Sequence, residues 1–356
     1  MNKIDRIAAR IISKYLRKGN MARAMRDILP RSGLSFEERE EVAKIVHSIV
    51  RYILYYDFLL ERMNLDKSPK NYIALYHRNI DVDAPKHVKY SLSPELASVT
   101  PDEFLRIINR EPETTLCINL PRISRKEAIE KLKEEGFEAE PYVPESAVIT
   151  NSAARYSSLV KGGLAMVQDA SSQMVAKIAA SLGSDILDYC AGSGGKTLAM
   201  HALFPKKVYY AYDINRRKLD SLEKRTSVWG MNVRVFFDGV NGQFSVVLVD
   251  APCSGVGAAA RNPEAKYQNE FDKFSNLQVS ILNEAKKFVQ SGGYLVYVVC
   301  SYTPQETEDV VMRFLNENKR FKVEKRNFEG KYFKLGRFGA YILVGDVFYM
   351  AILRRE

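Results

Sequence analysis

A thiol that does chemistry works best at the end of a rigid element, and two cysteines of this 356-residue chain stand in that position. Cys253 lies in Val249-Asp250-Ala251-Pro252-Cys253-Ser254-Gly255, after the hydrophobic run Ser245-Val246-Val247-Leu248. Cys300 lies in Val298-Val299-Cys300-Ser301-Tyr302, after Gly293-Tyr294-Leu295-Val296-Tyr297. Short runs of β-branched, aliphatic and aromatic residues read as buried parallel strands. Ligands gather at the carboxyl ends of such strands. The chain has four cysteines, Cys117, Cys190, Cys253 and Cys300, and Cys190 also follows a run of this kind. Their spacings fit neither a disulfide framework nor a zinc site, and the four histidines are scattered, so no metal is expected. A single strand-end cysteine is more often a small buried hydrophobe than a nucleophile. Two, each beside an acidic or proline-bearing loop, point to thiolate chemistry.

A second constellation surrounds Cys190. Asp188-Tyr189-Cys190-Ala191-Gly192-Ser193-Gly194-Gly195-Lys196-Thr197 follows a strand-like run and opens a helix. Glycines there let the backbone approach a ligand and leave helix N-terminal amides free. A phosphate-binding GxxxxGK[ST] loop would need Gly at Cys190, and a dinucleotide GxGxxG would need Gly at Thr197. A nucleoside without phosphates is the better fit. Asp213 ends the next run, 18 residues beyond Gly195, where a carboxylate accepts from ribose hydroxyls. Asp238 and Asp250 end the two runs after that. One such Asp alone reads as a turn or cap. Four, with Asp188, beside a Gly-rich loop favour a cationic ligand that carries a ribose. S-adenosylmethionine has both features.

The elements that position these residues fall into three expected domains. Residues 1–70 read as an all-α bundle. Ile4, Ile7, Ala8, Ile11, Ile12, Tyr15 and Leu16 make one amphipathic face, and Ser35-Phe36-Glu37-Glu38 opens a long helix to about Leu60. This stretch holds fifteen Lys/Arg against nine Asp/Glu, so it carries a large share of the +10 net charge of the chain. Such a surplus favours a polyanion, although a charged helix face is often only a solvated one. Residues 71–155 read as a small α+β module resembling an RNA-recognition fold. It has a strand at 115–120, a helix opened by Ser124 and stopped by Gly136, and a strand at 137–141. It carries no aromatic signature for base stacking. Residues 156–356 alternate strand and helix: Ile186–Tyr189, Val208–Asp213, Val233–Asp238, Ser245–Asp250, Tyr294–Cys300 and Val347–Leu353. That pattern predicts a doubly wound α/β sheet, mostly parallel. No apolar run is long enough to cross a membrane, and the chain reads as cytoplasmic.

Taken together, the motifs resemble the Nop/Sun family of RNA (cytosine-5) methyltransferases. The resemblance rests on Val167-Gln168-Asp169-Ala170-Ser171-Ser172, the Cys190–Thr197 loop, Asp250–Gly257, and Cys300-Ser301-Tyr302 with Glu306 and Glu308; Arg261-Asn262-Pro263 also fits. It covers about residues 100–356, and residues 1–70 are similar to the NusB-type domain of the ribosomal-RNA branch. The resemblance implies a Rossmann-like class I methyltransferase sheet whose last strand is antiparallel. It implies S-adenosylmethionine held by Cys190, Ala191, Gly192, Ser193, Gly194, Gly195, Lys196, Asp213, Asp238 and Asp250. Cys300 would be the nucleophile toward C6 of a cytosine, Cys253 the thiol that assists product release, and Asp250 the contact to the cytosine edge. The implied partner is RNA, ribosomal rather than transfer, with a monomeric enzyme and no membrane. Four residues at three places depart from the family pattern: Gly192-Ser193 replaces Ala-Pro, Val299 replaces Thr, and Lys218 replaces Arg. The other readings are a transfer-RNA enzyme, a DNA cytosine methyltransferase, which would lack a second strand-end cysteine, and an RNA-binding assembly factor with weak catalysis.

Overall fold

The structure is a computed structural model that describes every residue except Asn327 and Glu329. The chain forms two compact units, residues 1–110 with 258–269, and residues 111–257 with 270–356. No helix among the described residues is long and apolar enough to cross a membrane.

The first unit is helical. It contains α1 (Lys3–Lys18), α2 (Met21–Ile28), α3 (Phe36–Arg51), α4 (Ile53–Arg62), α5 (Pro69–Arg78), α6 (Lys86–Lys89), α7 (Pro94–Val99) and α8 (Asp102–Asn109). The boundary expected at residue 70 falls inside this unit. Tyr72, Ile73 and Leu75 of α5 enter the same core as Ile11, Ile45 and Ile49. Capping boxes start α1 (Asn2 with Asp5) and α3 (Ser35 with Glu38). The single helix expected to run to Leu60 breaks at Tyr52, where the backbone leaves helical geometry. Side chains replace the bond that a continuous helix would make between Leu54 and Val50. The Leu54 N–H donates to Ser91 Oγ at 2.7 Å, and the Val50 carbonyl accepts from the Tyr267 hydroxyl at 2.7 Å.

The second unit begins with a four-stranded antiparallel sheet. The chain runs β1 (Thr114–Ile118), α9 (Arg125–Glu134), β2 (Ala139–Pro141), β3 (Ala147–Thr150), α10 (Ser158–Lys161) and β4 (Ala165–Val167). The spatial order is β2-β3-β1-β4, the split β-α-β arrangement expected for an RNA-recognition-like module, although it closes at Val167 rather than 155. Leu116, Ile118 and Val148 face Ala128 and Leu132 of α9. On the other side, Cys117 and Met166 pack with Val175 and Ala176 of α11 (Ala170–Ser181). With both faces covered, this sheet has no open face for stacking bases.

The larger sheet follows: β5 (Asp185–Asp188), α12 (Gly195–Leu203), β6 (Val208–Tyr212), α13 (Arg216–Trp229), β7 (Arg234–Phe236), β8 (Phe244–Asp250), α14 (Phe271–Ala285), β9 (Val289–Val299), α15 (Glu308–Glu317), β10 (Phe321–Val323), β11 (Phe333–Leu335), β12 (Ala340–Ile342) and β13 (Phe348–Arg355). Its order is β11-β12-β13-β9-β8-β5-β6-β7, with β10 paired to β13. Strands β5 to β9 pair in parallel and β13 runs antiparallel to β9. Both faces are buried, which explains the unbroken hydrophobic run in β8. Val246 and Leu248 enter one core, Val247 and Val249 the other. The chain moves outward from β5 to β7 and then crosses back to β8, so strand order reverses between β5 and β8. In open α/β sheets that reversal opens the ligand crevice.

Candidate active site

The loop after β5 and the loop after β8 meet at this reversal. Asp188, the last residue of β5, is buried and accepts the Thr197 hydroxyl from α12 at 2.7 Å. Burial pushes its carboxyl up to about 7; Asp250 and Asp213 add to the rise, while Thr197 and Lys196 oppose it. Lys196, one residue before Thr197, is also buried and pairs with Asp250 at 2.6 Å. Its ammonium lies 4.9 Å from the centre of the Phe348 ring. Burial acts to lower the Lys196 pKa, but Asp250 outweighs it, with help from Cys300 and Asp188, and the net direction is up. Asp250 keeps a third of its side chain exposed.

The glycine loop is held by Asp213. One carboxylate oxygen accepts the Gly192 N–H at 2.9 Å, and the other accepts the Asn215 N–H at 2.8 Å. Gly194 sits at φ 87°, and a Cβ there would come within 3.0 Å of Leu222. The Ser193 carbonyl accepts from Arg225 at 2.7 Å. Gln168, in the motif before α11, donates to the Gly195 carbonyl at 2.9 Å. Asp169 caps α11 by accepting from Ser171 and Ser172, and its other oxygen accepts the Asp346 N–H. Asp238 does not join this group. Strand β7 stops at Phe236, so Asp238 lies in the following loop, 90% exposed and 3.5 Å from Arg216.

The two cysteines predicted from strand ends come together. Cys253 and Cys300 place their sulfurs 3.2 Å apart. Register explains it: Asp250 of β8 lies opposite Val298 of β9, and each cysteine follows within three residues. Gly257 locks the return of the β8 loop. Its N–H donates to the Cys300 carbonyl at 3.0 Å, and its carbonyl accepts from Val347 at 2.9 Å. A Cβ at Gly257 would sit 2.0 Å from the Val347 oxygen, so no side chain fits. The Cys253 thiol is pushed up, first by its hydrogen bond with Cys300, then by burial and by negative charge at Cys300, Glu306 and Asp250. Cys190 is pushed up by burial and by the carboxylates of Asp188, Asp250 and Asp213, which leaves it protonated. Cys190 thus lies on the glycine loop and takes no part in the 3.2 Å sulfur pair of Cys253 and Cys300.

Sequence reasoning did not single out Thr197, Gln278 or the Glu306 side chain as parts of the site. Glu306 was visible in a motif; Gln278, a helix residue, had no signal. Gln278 donates to the Pro252 carbonyl at 2.9 Å, behind Cys253.

The crevice has room and chemistry for a ligand with hydroxyls and a positive charge. Asp188 Oδ1 is buried with no hydrogen-bond partner, and a Cβ built at Gly192 would meet nothing within 4 Å. Among the described residues, no group of three or more His, Cys, Asp or Glu is placed to hold a metal ion.

Residues 176–354 match the profile of the 16S rRNA methyltransferase RsmB/F family. The chain belongs to that family. It is 31% identical over 249 residues to ribosomal RNA small subunit methyltransferase B of Klebsiella pneumoniae strain 342, covering 64% of this chain and 57% of that protein. It is 29% identical over 245 residues to the probable ribosomal RNA small subunit methyltransferase B of Bacillus subtilis strain 168, covering 63% and 55%. The chain thus spans little more than half the length of these relatives. The fold matches the crystal structure of PH0851 with a TM-score of 0.78 at 18% identity, over 99% of this chain and 98% of that one. The structure of NSun6 from Pyrococcus horikoshii with SFG matches at 0.60 and 18% identity, over 79% and 96%.

Proposed function

We propose that this protein transfers a methyl group from S-adenosylmethionine to C5 of a cytosine in RNA, ribosomal RNA before transfer RNA. The observation that carries the reading is the pair of thiols 3.2 Å apart beside the Lys196–Asp250 ion pair. Cytosine C5 is a poor nucleophile. A thiolate added at C6 makes the ring electron-rich at C5, and cysteine is the side chain best suited to that addition. Cys300 takes this role. Lys196 supplies a buried positive charge beside the pair. Asp250, partly open to solvent and already held by Lys196, is placed to accept from the cytosine edge. Cys253, the thiol held protonated, acts afterwards: the C5 proton passes to solvent, its electron pair re-forms the C5–C6 double bond, and the Cys300 sulfur leaves with the C6–S pair, 3.2 Å from the Cys253 thiol that can donate a proton to it.

S-adenosylmethionine, when bound, supplies an electrophilic methyl group. The residues suited to hold it are the loop Cys190–Lys196, Asp213 for ribose hydroxyls, and Asp188, whose buried oxygen Oδ1 has no partner, for a polar group of the ligand. Asp238, exposed in the loop after β7, completes the set read from sequence. The neighbour NSun6 carries SFG, an S-adenosylmethionine analogue, on the same fold. The RNA partner is supported by the family and by a cleft of about 970 Å³ on the helical unit, lined by Arg10, Lys14, Arg17, Arg26, Arg31 and Lys70. Its one acid, Asp27, is paired with Lys14.

The test separates the two cysteines. Cys300→Ala should bind cofactor normally and transfer no methyl groups. Cys253→Ala should methylate once and stall as a covalent protein–RNA adduct, seen as a slow band on a denaturing gel and dependent on both RNA and S-adenosylmethionine. An adduct in Cys300→Ala and none in Cys253→Ala would reverse the two roles. Full turnover by both would remove thiol chemistry and the proposal with it.

A further inference from the structure

Glu306 ends the short 3-10 turn Pro304–Glu306, a few residues after Cys300, and is fully buried. One carboxylate oxygen accepts the Ser254 N–H at 2.8 Å and the Gln278 amide at 3.1 Å. The other accepts the hydroxyls of Ser254 at 2.5 Å, Ser301 at 2.7 Å and Thr303 at 3.2 Å. Every partner donates, which suits a carboxylate that can only accept. Ser254 directly follows Cys253 and Ser301 directly follows Cys300. One side chain therefore clasps the residue after each thiol. The clasp is itself braced. The Tyr297 hydroxyl lies 2.9 Å from Gln278 Oε1 and 2.7 Å from the Glu306 carbonyl.

A buried charge is expensive, and well-packed apolar residues usually stabilise a fold as well or better. A negative charge at this place needs a reason beyond packing. We propose that Glu306 is a positioning residue: it sets the register of the two cysteine loops against each other, and its buried charge bears on the thiols those loops carry. The direction of the Cys253 shift agrees, since Glu306 is among the charges that hold that thiol protonated. The proposal rests on the reading of both thiols as reactive groups, but its test needs neither RNA nor cofactor.

The full chain is alkylated with limiting iodoacetamide from pH 6 to 10, and the initial rate at each cysteine is read by mass spectrometry. In the parent protein Cys300 should react first and Cys253 should lag. Glu306→Gln is nearly isosteric, and the serine and threonine hydroxyls can turn to accept from the new amide. In that variant the half-maximal pH for Cys253 should fall by about one unit, the size expected for a removed like charge nearby. Methyl transfer should lose at least about tenfold in kcat with KM for RNA little changed, as expected for a displaced reacting group. Glu306→Asp keeps the charge but is one methylene short. It should keep the Cys253 profile and still lose kcat. Parent-like alkylation and kcat in a folded Glu306→Gln would overturn the proposal. Should that variant not fold, Ser301→Ala removes a single arm of the clasp, and unchanged alkylation and kcat there would overturn it equally. A shifted Cys253 profile in a protein that methylates no RNA would uphold the role of Glu306 and sink only the methyltransferase reading.

Discussion

Asp188 shows how a residue plain in sequence acquires its character from depth. Its burial raises the carboxyl from an ordinary 3.8 to about 7. The folded chain therefore keeps a proton there that the unfolded chain has released. The stability linked to this proton is present below about pH 4 and is lost as pH rises through about 7. Asp188→Asn, which cannot titrate, should remove this slope. Urea unfolding at pH 5, 6, 7 and 8 should find the parent losing stability relative to the variant by an amount on the order of a few kcal/mol. Parallel curves for the two proteins would mean that Asp188 is ionised throughout. Cys190 and Cys253 tell the same story with thiols. Both stand after strand-like runs, yet one faces three carboxylates and the other faces a second sulfur.

Among the elements, the junction at Tyr52 depends on a residue far along the chain. Lys266 is fully buried. Its ammonium donates to the Arg51 carbonyl at 2.5 Å, the Tyr90 carbonyl at 3.0 Å and Asn109 Oδ1 at 2.8 Å. Arg51 and Tyr90 lie at helix ends, where backbone carbonyls lack helical partners, and Asn109, the last residue of α8, adds its side-chain oxygen. Burial, with Arg51 nearby, pushes the lysine pKa well down, so desolvation and hydrogen bonding oppose each other here. The bonds should win. Lys266→Met keeps the length of the side chain but strands the acceptors, at roughly 1–3 kcal/mol each in the worst case. Chemical denaturation should register a loss of at least about 2 kcal/mol. A variant as stable as the parent would show that desolvating the amine offsets its three bonds.

For the whole molecule, the +10 charge has a place where it gathers. The cleft of the helical unit brings together cations from α1, α2, the Leu29–Arg31 turn and the first residues of α5. Removing residues 1–70 would cut through this unit, because its core continues into α5. Reversing exposed charges is the cleaner test. Arg10→Glu with Arg17→Glu and Arg26→Glu should leave the fold intact and flatten the salt dependence of RNA binding. Each lost contact to single-stranded phosphate removes about 0.7 from the slope of log K against log salt, so the triple variant should lose about 2. Filter binding between 50 and 300 mM salt measures it. An unchanged slope would place the RNA elsewhere on the protein.

The sequence by itself was enough for the alternation of strands and helices, the glycine loop, the two strand-end cysteines and the capping boxes at Ser35 and Ser124. These are local: they depend on side-chain period, backbone freedom and short-range hydrogen bonds. It was also enough for the family, through motifs that are contiguous in the chain. The break at Tyr52 was invisible, because its cause is Ser91, Lys266 and Tyr267, distant in sequence. The short strands β10, β11 and β12 went unread; each is three residues long, and β10 and β11 have no hydrophobic run to mark them. Asp238 was misplaced by a strand two residues shorter than its hydrophobic run. Only tertiary structure could bring the sulfurs of Cys253 and Cys300 to 3.2 Å, through the parallel register of β8 and β9. Only tertiary structure could put Glu306 between their loops, because five donors from three segments of chain reach one carboxylate only after the sheet has formed.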